Sequence, residues 1–379
     1  MIYADNAATT RISDSVFEKM LPFLREQYGN ASSQYSLGVK AKRAVEMARK
    51  QVAIAINADP AEITFTSGGS EANSWVILHV AGIHCNEPVH MITSAIEHHS
   101  VLNTCHTLEQ NGIEITYLPI DRSGRVSAED IKAATKPHTK LVSIMLANNE
   151  IGTIQPIAEI GQLLRERGIL FHTDAVQAVG HISVDVKELQ IDFLAASAHK
   201  FNGAKGTGIL YKRTGVGIAP MVFGGKQEHG LRAGTENVAG IVSAGYAIEE
   251  STACLQAEKK RLEAMIEATV KGIQARIPTV RINGDFVKRL PGVINLGFDD
   301  MSGEALMHLL DLKGVCISTS SACTSGNSEP SHVLIALGLT ESMARSAIRI
   351  SYGKCNSPND VSAIVTAICD AYAKIKMNQ

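Results

Sequence analysis

Between about residues 50 and 215, short apolar, β-rich runs alternate with amphipathic stretches, and this rhythm restricts the fold more than any other feature of the chain. VHMITSA, IEITYLPI, KLVSIMLA, GILFHTDA, DFLAASA and TGILYKR read as strands, and intervening stretches such as IAEIGQLLRER read as amphipathic helices. The pattern implies an α/β chain built on a mainly parallel, doubly wound sheet whose ligand lies at the carboxyl ends of the strands. Asn149, Asp174 and Lys200 all fall at such ends.

Three stretches at those ends carry chemistry. SASAHKFNGAKGTG sets Lys200 beside Ser197 and His199, after a buried strand and before glycines, where an amine faces a cleft and can form a Schiff base. Alone, a strand-end lysine is more often a snorkelling surface residue. ITFTSGGSEAN runs from a strand through a Gly-Gly turn into a helical pattern, so the amides of Gly69, Ser70 and Glu71 and the Ser70 hydroxyl can hold a phosphate. It also reads as an ordinary connection in which Ser70 caps the helix. In ILFHTDAVQAVG a buried strand ends in Asp174, with Gln177 three residues on, and a carboxylate there needs a cationic partner such as a pyridinium nitrogen. A phosphate cup, a buried aspartate and a cleft lysine are together the parts that bind pyridoxal phosphate (PLP) and let its ring act as an electron sink.

The length of 379 residues allows two domains, and 45% hydrophobic with 20% charged residues is a soluble globular profile. Lys+Arg 36 against Asp+Glu 38 leaves a net charge of -2, which suggests neither nucleic acid nor an anionic membrane as a direct partner. The opening MIYADNAATTRIS lacks the basic start and apolar core of a signal peptide, and no apolar run reaches membrane-spanning length, so a cytoplasmic protein is expected. Seven cysteines without paired C-x-x-C spacing argue against a disulfide framework and a structural zinc site, and most are expected to be reduced core thiols. No metal site is expected.

Residues 236–274 contain few breakers and read as one long helix bridging two domains. After it VRING, GVINLGF and AIRISYG read as strands, and the chain from Asp360 as an amphipathic helix. The expected division is a large domain over residues 14–257 and a smaller α+β domain over residues 1–13 and 258–379. GVCISTSSACTSGNSEPSHVL places Cys323 in a polar loop, a candidate nucleophile whose plainer reading is an incidental surface thiol. Cys316, inside VCIST, is expected to be buried and inert. Arg349, in the run AIRIS, suits a bidentate grip on a carboxylate, and reads equally as a strand-edge surface arginine. His98, in IEHHS, reads from sequence alone as a surface histidine at a strand end.

TSGGSEAN, SAIEHHSVLNT, ANNEIGTIQP, HTDAVQAVG, SASAHKFNGAKGTG, GGKQEHGLRAGTEN, STSSACTSG and AIRISYGK, in this order, resemble the NifS/IscS-type cysteine desulfurases, class V of the aminotransferase-fold PLP enzymes. The resemblance covers nearly the whole chain and implies fold type I. It implies that Lys200 carries the cofactor aldehyde, Asp174 pairs with the pyridine nitrogen, and Asn149 and Gln177 lie beside the ring, with Gln177 donating to the phenolic oxygen. Gly69, Ser70, Ser197 and His199 are implied to bind the phosphate, and Thr235 to reach the phosphate of a second subunit in a homodimer. His98 is implied to stack on the ring and shuttle protons, Arg349 with Asn149 to receive the substrate, and Cys323 to accept sulfur from L-cysteine as a persulfide. A sulfur-acceptor protein such as an iron-sulfur scaffold is the implied partner. Tyr35, Ala204 and Lys354 replace the usual histidine, proline and arginine, and none removes a group that the chemistry needs. The alternatives are another class V activity, such as a selenocysteine lyase or an aminotransferase, and a non-catalytic scaffold. A loop thiol at Cys323 favours sulfur transfer over either.

Overall fold

The computed structural model describes residues 1–83, 87–319 and 329–377. Cys85 and Cys323 lie outside the described residues, and with them the reading of Cys323 as a loop nucleophile. Seven strands form the main sheet in the order Ile63–Thr66, Gly208–Lys212, Phe193–Ser197, Leu170–Asp174, Thr139–Ser143, His90–Ser94, Glu114–Leu118. Every pairing is parallel except the two made by Gly208–Lys212. That strand follows Phe193–Ser197 after a single 3-10 turn, Ala198–Lys200, and a short loop, a connection that turns the chain back without a helical crossover.

Helices cover both faces of this sheet. Along Phe193–Ser197, Phe193 and Ala195 pack on the side of Trp75, while Leu194 and Ala196 pack on the side of Val142 and Ile241. The period of two thus sends successive residues into two different apolar layers, which is why Phe193–Ser197 is apolar up to its last residue. The edge strand Glu114–Leu118 is largely half-buried.

Residues 236–274 form two helices, Val238–Ala253 and Leu255–Gln274, and not the single helix expected. Thr252 turns its hydroxyl back to the Ile248 carbonyl at 2.8 Å, which weakens the ladder, and Cys254 leaves helical geometry at ψ 6°. The break falls where the chain changes cores. Ile241, Ala244 and Ile248 pack with the main sheet, whereas Leu262, Ile266 and Ile273 pack against a second sheet. That sheet is antiparallel, in the order Ser318–Thr319, Ala347–Ser351, Val293–Gly297, Arg281–Asn283, and the helix Pro358–Met377 closes it. The expected VCIST strand is divided: Ser318–Thr319 joins this sheet, and Val315–Cys316 pairs in parallel with the N-terminal Ile2–Tyr3.

The cysteine expectations fail in part. Of the described cysteines Cys105 and Cys369 are buried, Cys254 and Cys355 are exposed, and Cys316 is half-buried. Cys254 is exposed because it sits at the helix break. Cys316 is open because its strand has a two-residue partner on one side only, and the alternation that buries Val315 turns Cys316 outward.

One buried ion pair fastens the main sheet to the loop before Val238–Ala253. Arg49, on the helix Ser36–Ala55, forks onto Glu228 with two 2.8 Å bonds and also donates to the Ile63 carbonyl at 2.7 Å. Glu228 accepts the Phe65 amide as well, at 2.8 Å. Glu228 and His229 lie in the left-handed backbone region, at φ 46° and 58°, a conformation that this clamp holds. Glu228→Ala strands the arginine charge in the core and is expected to cost about 3–5 kcal/mol, read from urea unfolding of the two proteins. A loss below about 1 kcal/mol would show that the guanidinium has found other partners.

Candidate active site

A cleft of about 260 Å³ opens at the carboxyl ends of the parallel strands, and every expected site residue lines it except Glu71, Thr235 and Cys323. Thr235 is exposed and lines a neighbouring hollow of about 80 Å³ instead. Ser67 and Gly206 line both that hollow and the cup at the start of the helix Gly69–Ile83. Cys323 lies outside the described residues.

At the base of the cleft the Asp174 carboxylate is 5% exposed. Its Oδ1 accepts the Val176 amide at 2.9 Å and its Oδ2 accepts the Asn73 side-chain amide at 2.6 Å. The same Asn73 nitrogen donates to Ser100 Oγ at 2.9 Å, which leaves the serine proton free for His98 Nδ1, also 2.9 Å away. His98 is the cap of the helix His99–Gln110, not a residue on an open strand end, and its Nδ1 additionally accepts the Ser100 amide at 3.1 Å. With both donors on Nδ1, the neutral ring carries its proton on Nε2. Burial holds the His98 pKa below the usual histidine value, against the pull of Asp174 and with help from Lys200 and His99. The sequence reading missed Asn73 and Ser100, the two residues that join the aspartate to the histidine.

The cup is made by the start of Gly69–Ile83, where Gly69 is buried and Ser70 exposed. A Cβ on Gly69 would stand 2.4 Å from Val176 Cγ2, so a glycine lets this turn close on the residues that follow Asp174. Ser70 caps nothing in the described structure. Glu71, the acidic residue of that first turn, is turned onto Ser67 and onto Arg232 Nε at 3.0 Å, which hold its carboxyl below the usual range despite burial. Ser197 and His199 line the opposite wall. His199 Nδ1 meets Thr9 Oγ1 at 3.0 Å, and burial, with Lys200 and Lys205, pushes its pKa down to about 4.

Lys200 lies on the 3-10 turn Ala198–Lys200, and its Nζ donates to the carbonyls of Ala7 and Ala8 at 2.6 and 2.8 Å. Gln177, expected to donate to a cofactor oxygen, gives its side-chain amide to the Ala7 carbonyl at 2.9 Å. The N-terminal segment therefore crosses the floor of the site, a placement the sequence reading did not foresee. Asn149 faces the cleft while its carbonyl accepts Arg349 Nη1 at 3.0 Å. Arg349 is 3% exposed, so the surface reading of it is excluded.

These residues fit PLP. A buried carboxylate awaits a protonated ring nitrogen, amides and hydroxyls at a helix start await a phosphate, and an amine stands between them. The class V aminotransferase family model matches residues 2–364. The chain belongs to the class V aminotransferases, a family of PLP-dependent enzymes. It is 48% identical to the cysteine desulfurase IscS of Clostridium botulinum strain Hall, an alignment covering 97% of this chain and 93% of that one. It is 46% identical to the cysteine desulfurase IscS of Methanosarcina thermophila, covering 99% and 93%. Among solved structures, a NifS-like protein superposes with a TM-score of 0.93 at 37% identity, covering 98% of this chain and 99% of that one. Fold type I, expected from the motifs, follows from that likeness. No helix among the described residues is long and apolar enough to cross a membrane.

Beside His98, Glu97 is fully buried, accepting from Ser94 Oγ at 2.6 Å and from the Met145 amide at 2.9 Å through Oε1, while Oε2 has no partner among the described residues. Burial, with the field of Asp174, lifts this carboxyl to about 8, so it holds a proton in the folded enzyme at pH 7. A carboxyl raised on folding gives stability that is present in full below its unfolded value, about 4.3, and is lost as pH rises through about 8. Glu97→Gln, which cannot ionise, is expected to remove this part of the pH dependence. Unfolding free energies measured from pH 5 to 8.5 should fall less steeply in the variant, and parallel curves would contradict the assignment.

Proposed function

We propose that this class V enzyme is a cysteine desulfurase that takes sulfur from L-cysteine, releases L-alanine, and carries the sulfur as a persulfide on Cys323 to an acceptor protein. The observation that carries the reading is the convergence of Lys200, Asp174, His98 and Arg349 in one cleft. The likeness to named cysteine desulfurases over nearly the whole chain supports it.

When bound, PLP supplies an electron sink for the bonds at the substrate α-carbon. Lys200 is the residue that would hold its aldehyde, and Asp174, fixed by Asn73 and Val176, would pair with its ring nitrogen. Gly69, Ser70, Ser197 and His199 would hold its phosphate, and Asn149 and Gln177 would flank its ring. His199, whose pKa burial and the neighbouring lysines hold down before a phosphate is bound, would serve that phosphate as a hydrogen-bond donor. His98, neutral with its proton on Nε2, and Lys200 are the groups in the cleft suited to moving a proton. Arg349 receives the substrate carboxylate.

Cys323 as thiolate takes the substrate sulfur. One carbon–sulfur bond breaks and one sulfur–sulfur bond forms, so cysteine and the enzyme thiol become alanine and the enzyme persulfide with no outside oxidant. A free thiol has a pKa of about 8.5, so this step needs a base at the thiol.

The division into a large domain over residues 14–257 and a small one over residues 1–13 and 258–379 belongs to the same proposal, supported by the change of core at Cys254. So do a cytoplasmic location and delivery of sulfur to an iron-sulfur scaffold or to a tRNA or cofactor pathway. The exposed Thr235, in a hollow that adjoins the phosphate cup, supports a two-fold homodimer in which this loop serves the partner's site. Sedimentation should give a dimer, and a fully active monomer would overturn that arrangement.

Incubation of the holoenzyme with cysteine and a reductant should yield alanine and sulfide in equal amounts. Lys200→Ala should abolish both. Cys323→Ser should still bind cysteine yet release alanine at least about 100-fold more slowly, because only the last step needs the thiol. Mass spectrometry after a single turnover should find persulfide on Cys323. Undiminished alanine from the serine variant, or persulfide on another cysteine, would overturn the sulfur-transfer reading.

A further inference from the structure

We infer that Asp5 is a positioning residue for Arg349, holding the guanidinium so that one edge stays open for the α-carboxylate of the amino-acid substrate. The inference rests on the desulfurase reading above and adds to it a residue outside the motifs that suggested it.

A guanidinium has five N–H donors in a fixed plane. In Arg349, Nη2 donates to Asp5 Oδ1 at 2.7 Å and Nη1 to the Asn149 carbonyl at 3.0 Å. Its Nε, buried, has no partner among the described residues. Asp5 and the Asn149 carbonyl each take one N–H from a terminal nitrogen, and the second N–H on each of those nitrogens is left for a carboxylate at this residue, which lines the cleft. A carboxylate matches the fork geometry, as the α-carboxylate of cysteine or alanine does.

Asp5 is well placed to hold the arginine because its own position is set by the strand that bears it. Asp5 bridges in parallel to Ser351, the Asn6 amide donates to the Ser351 carbonyl at 3.0 Å, and the Ala7 amide donates to Ser351 Oγ at 2.9 Å. Ser351 and Arg349 lie two residues apart on Ala347–Ser351, so one register fixes both members of the pair. Among the described residues Asp5 is the only carboxylate in ion-pair contact with Arg349. The other acidic group within its field, Glu150, is buried, lifted to about 7, and takes the Ser331 hydroxyl at 2.5 Å instead.

The test uses the holoenzyme with Asp5→Ala, which removes the carboxylate, and Asp5→Asn, which keeps an oxygen acceptor without the charge. Calorimetric affinities are measured for L-alanine, which has the carboxylate, and for cysteamine, which lacks it, beside KM and kcat for L-cysteine. For Asp5→Ala we expect about tenfold weaker L-alanine binding and a similar rise in KM, with kcat within about twofold and cysteamine affinity unchanged. For Asp5→Asn we expect a loss of about threefold confined to L-alanine and cysteine, and this variant decides the matter if Asp5→Ala does not fold. Equal weakening of both ligands would make Asp5 merely structural, and overturns the inference. Unchanged L-alanine binding overturns it too, and tighter binding would make Asp5 a competitor of the substrate. An unmutated holoenzyme that releases no alanine from cysteine marks failure of the desulfurase reading instead, and the two calorimetric affinities still decide the role of Asp5.

Discussion

A sheet covered on both faces leaves its strands little room for a charged side chain except at their ends. Here both faces are filled, by the layer around Trp75 on one side and that around Ile241 on the other. Asp174, Asn149, Ser197 and Lys200 are displaced by this demand to one rim, where they converge. The same dryness governs their charges. Glu97 keeps a proton at pH 7, and His98 and His199 stay neutral, because the groups beneath the cleft have lost water and few ions replace it.

What was legible in the sequence was local. The strand rhythm, the lysine turn, the Gly-Gly helix start and the strand-ending aspartate all follow from residues within one element and its flanking turn. What was illegible joins distant parts of the chain. The Lys200 ammonium meets the Ala7 carbonyl across 193 residues, and no pattern in ADNAATT advertises two main-chain oxygens as its partners. Asn73 stood inside a quoted motif, yet its role depends on Asp174 and Ser100, which come to it only in three dimensions. The reversed strand and the break at Cys254 were missed for another reason. Apolar content does not encode strand direction, and a helix can end without glycine or proline when it passes from one core to another.

Two of the buried arginines show how satisfaction of donors separates anchoring from readiness. Arg49 and Arg349 are equally buried, at 3% exposure, and each is paired with a carboxylate. Arg49 spends its nitrogens on Glu46, Glu228 and the Ile63 carbonyl, all within the protein. Arg349, which lines the cleft, retains a buried Nε with no partner among the described residues. Completeness suits a clamp, and incompleteness suits a receptor.

The pairing of Ile2–Tyr3 with Val315–Cys316, and of Asp5 with Ser351, makes residues that are synthesised early wait for partners far along the chain. The main sheet, contained between Ile63 and Lys212, has all its strands long before then. A nascent chain can therefore own a well-packed core while the carboxylate receptor, Arg349 with Asp5, is still missing. Completion of the substrate site is thereby tied to the synthesis of Ala347–Ser351, and a product terminated before it would be a folded body without a working centre.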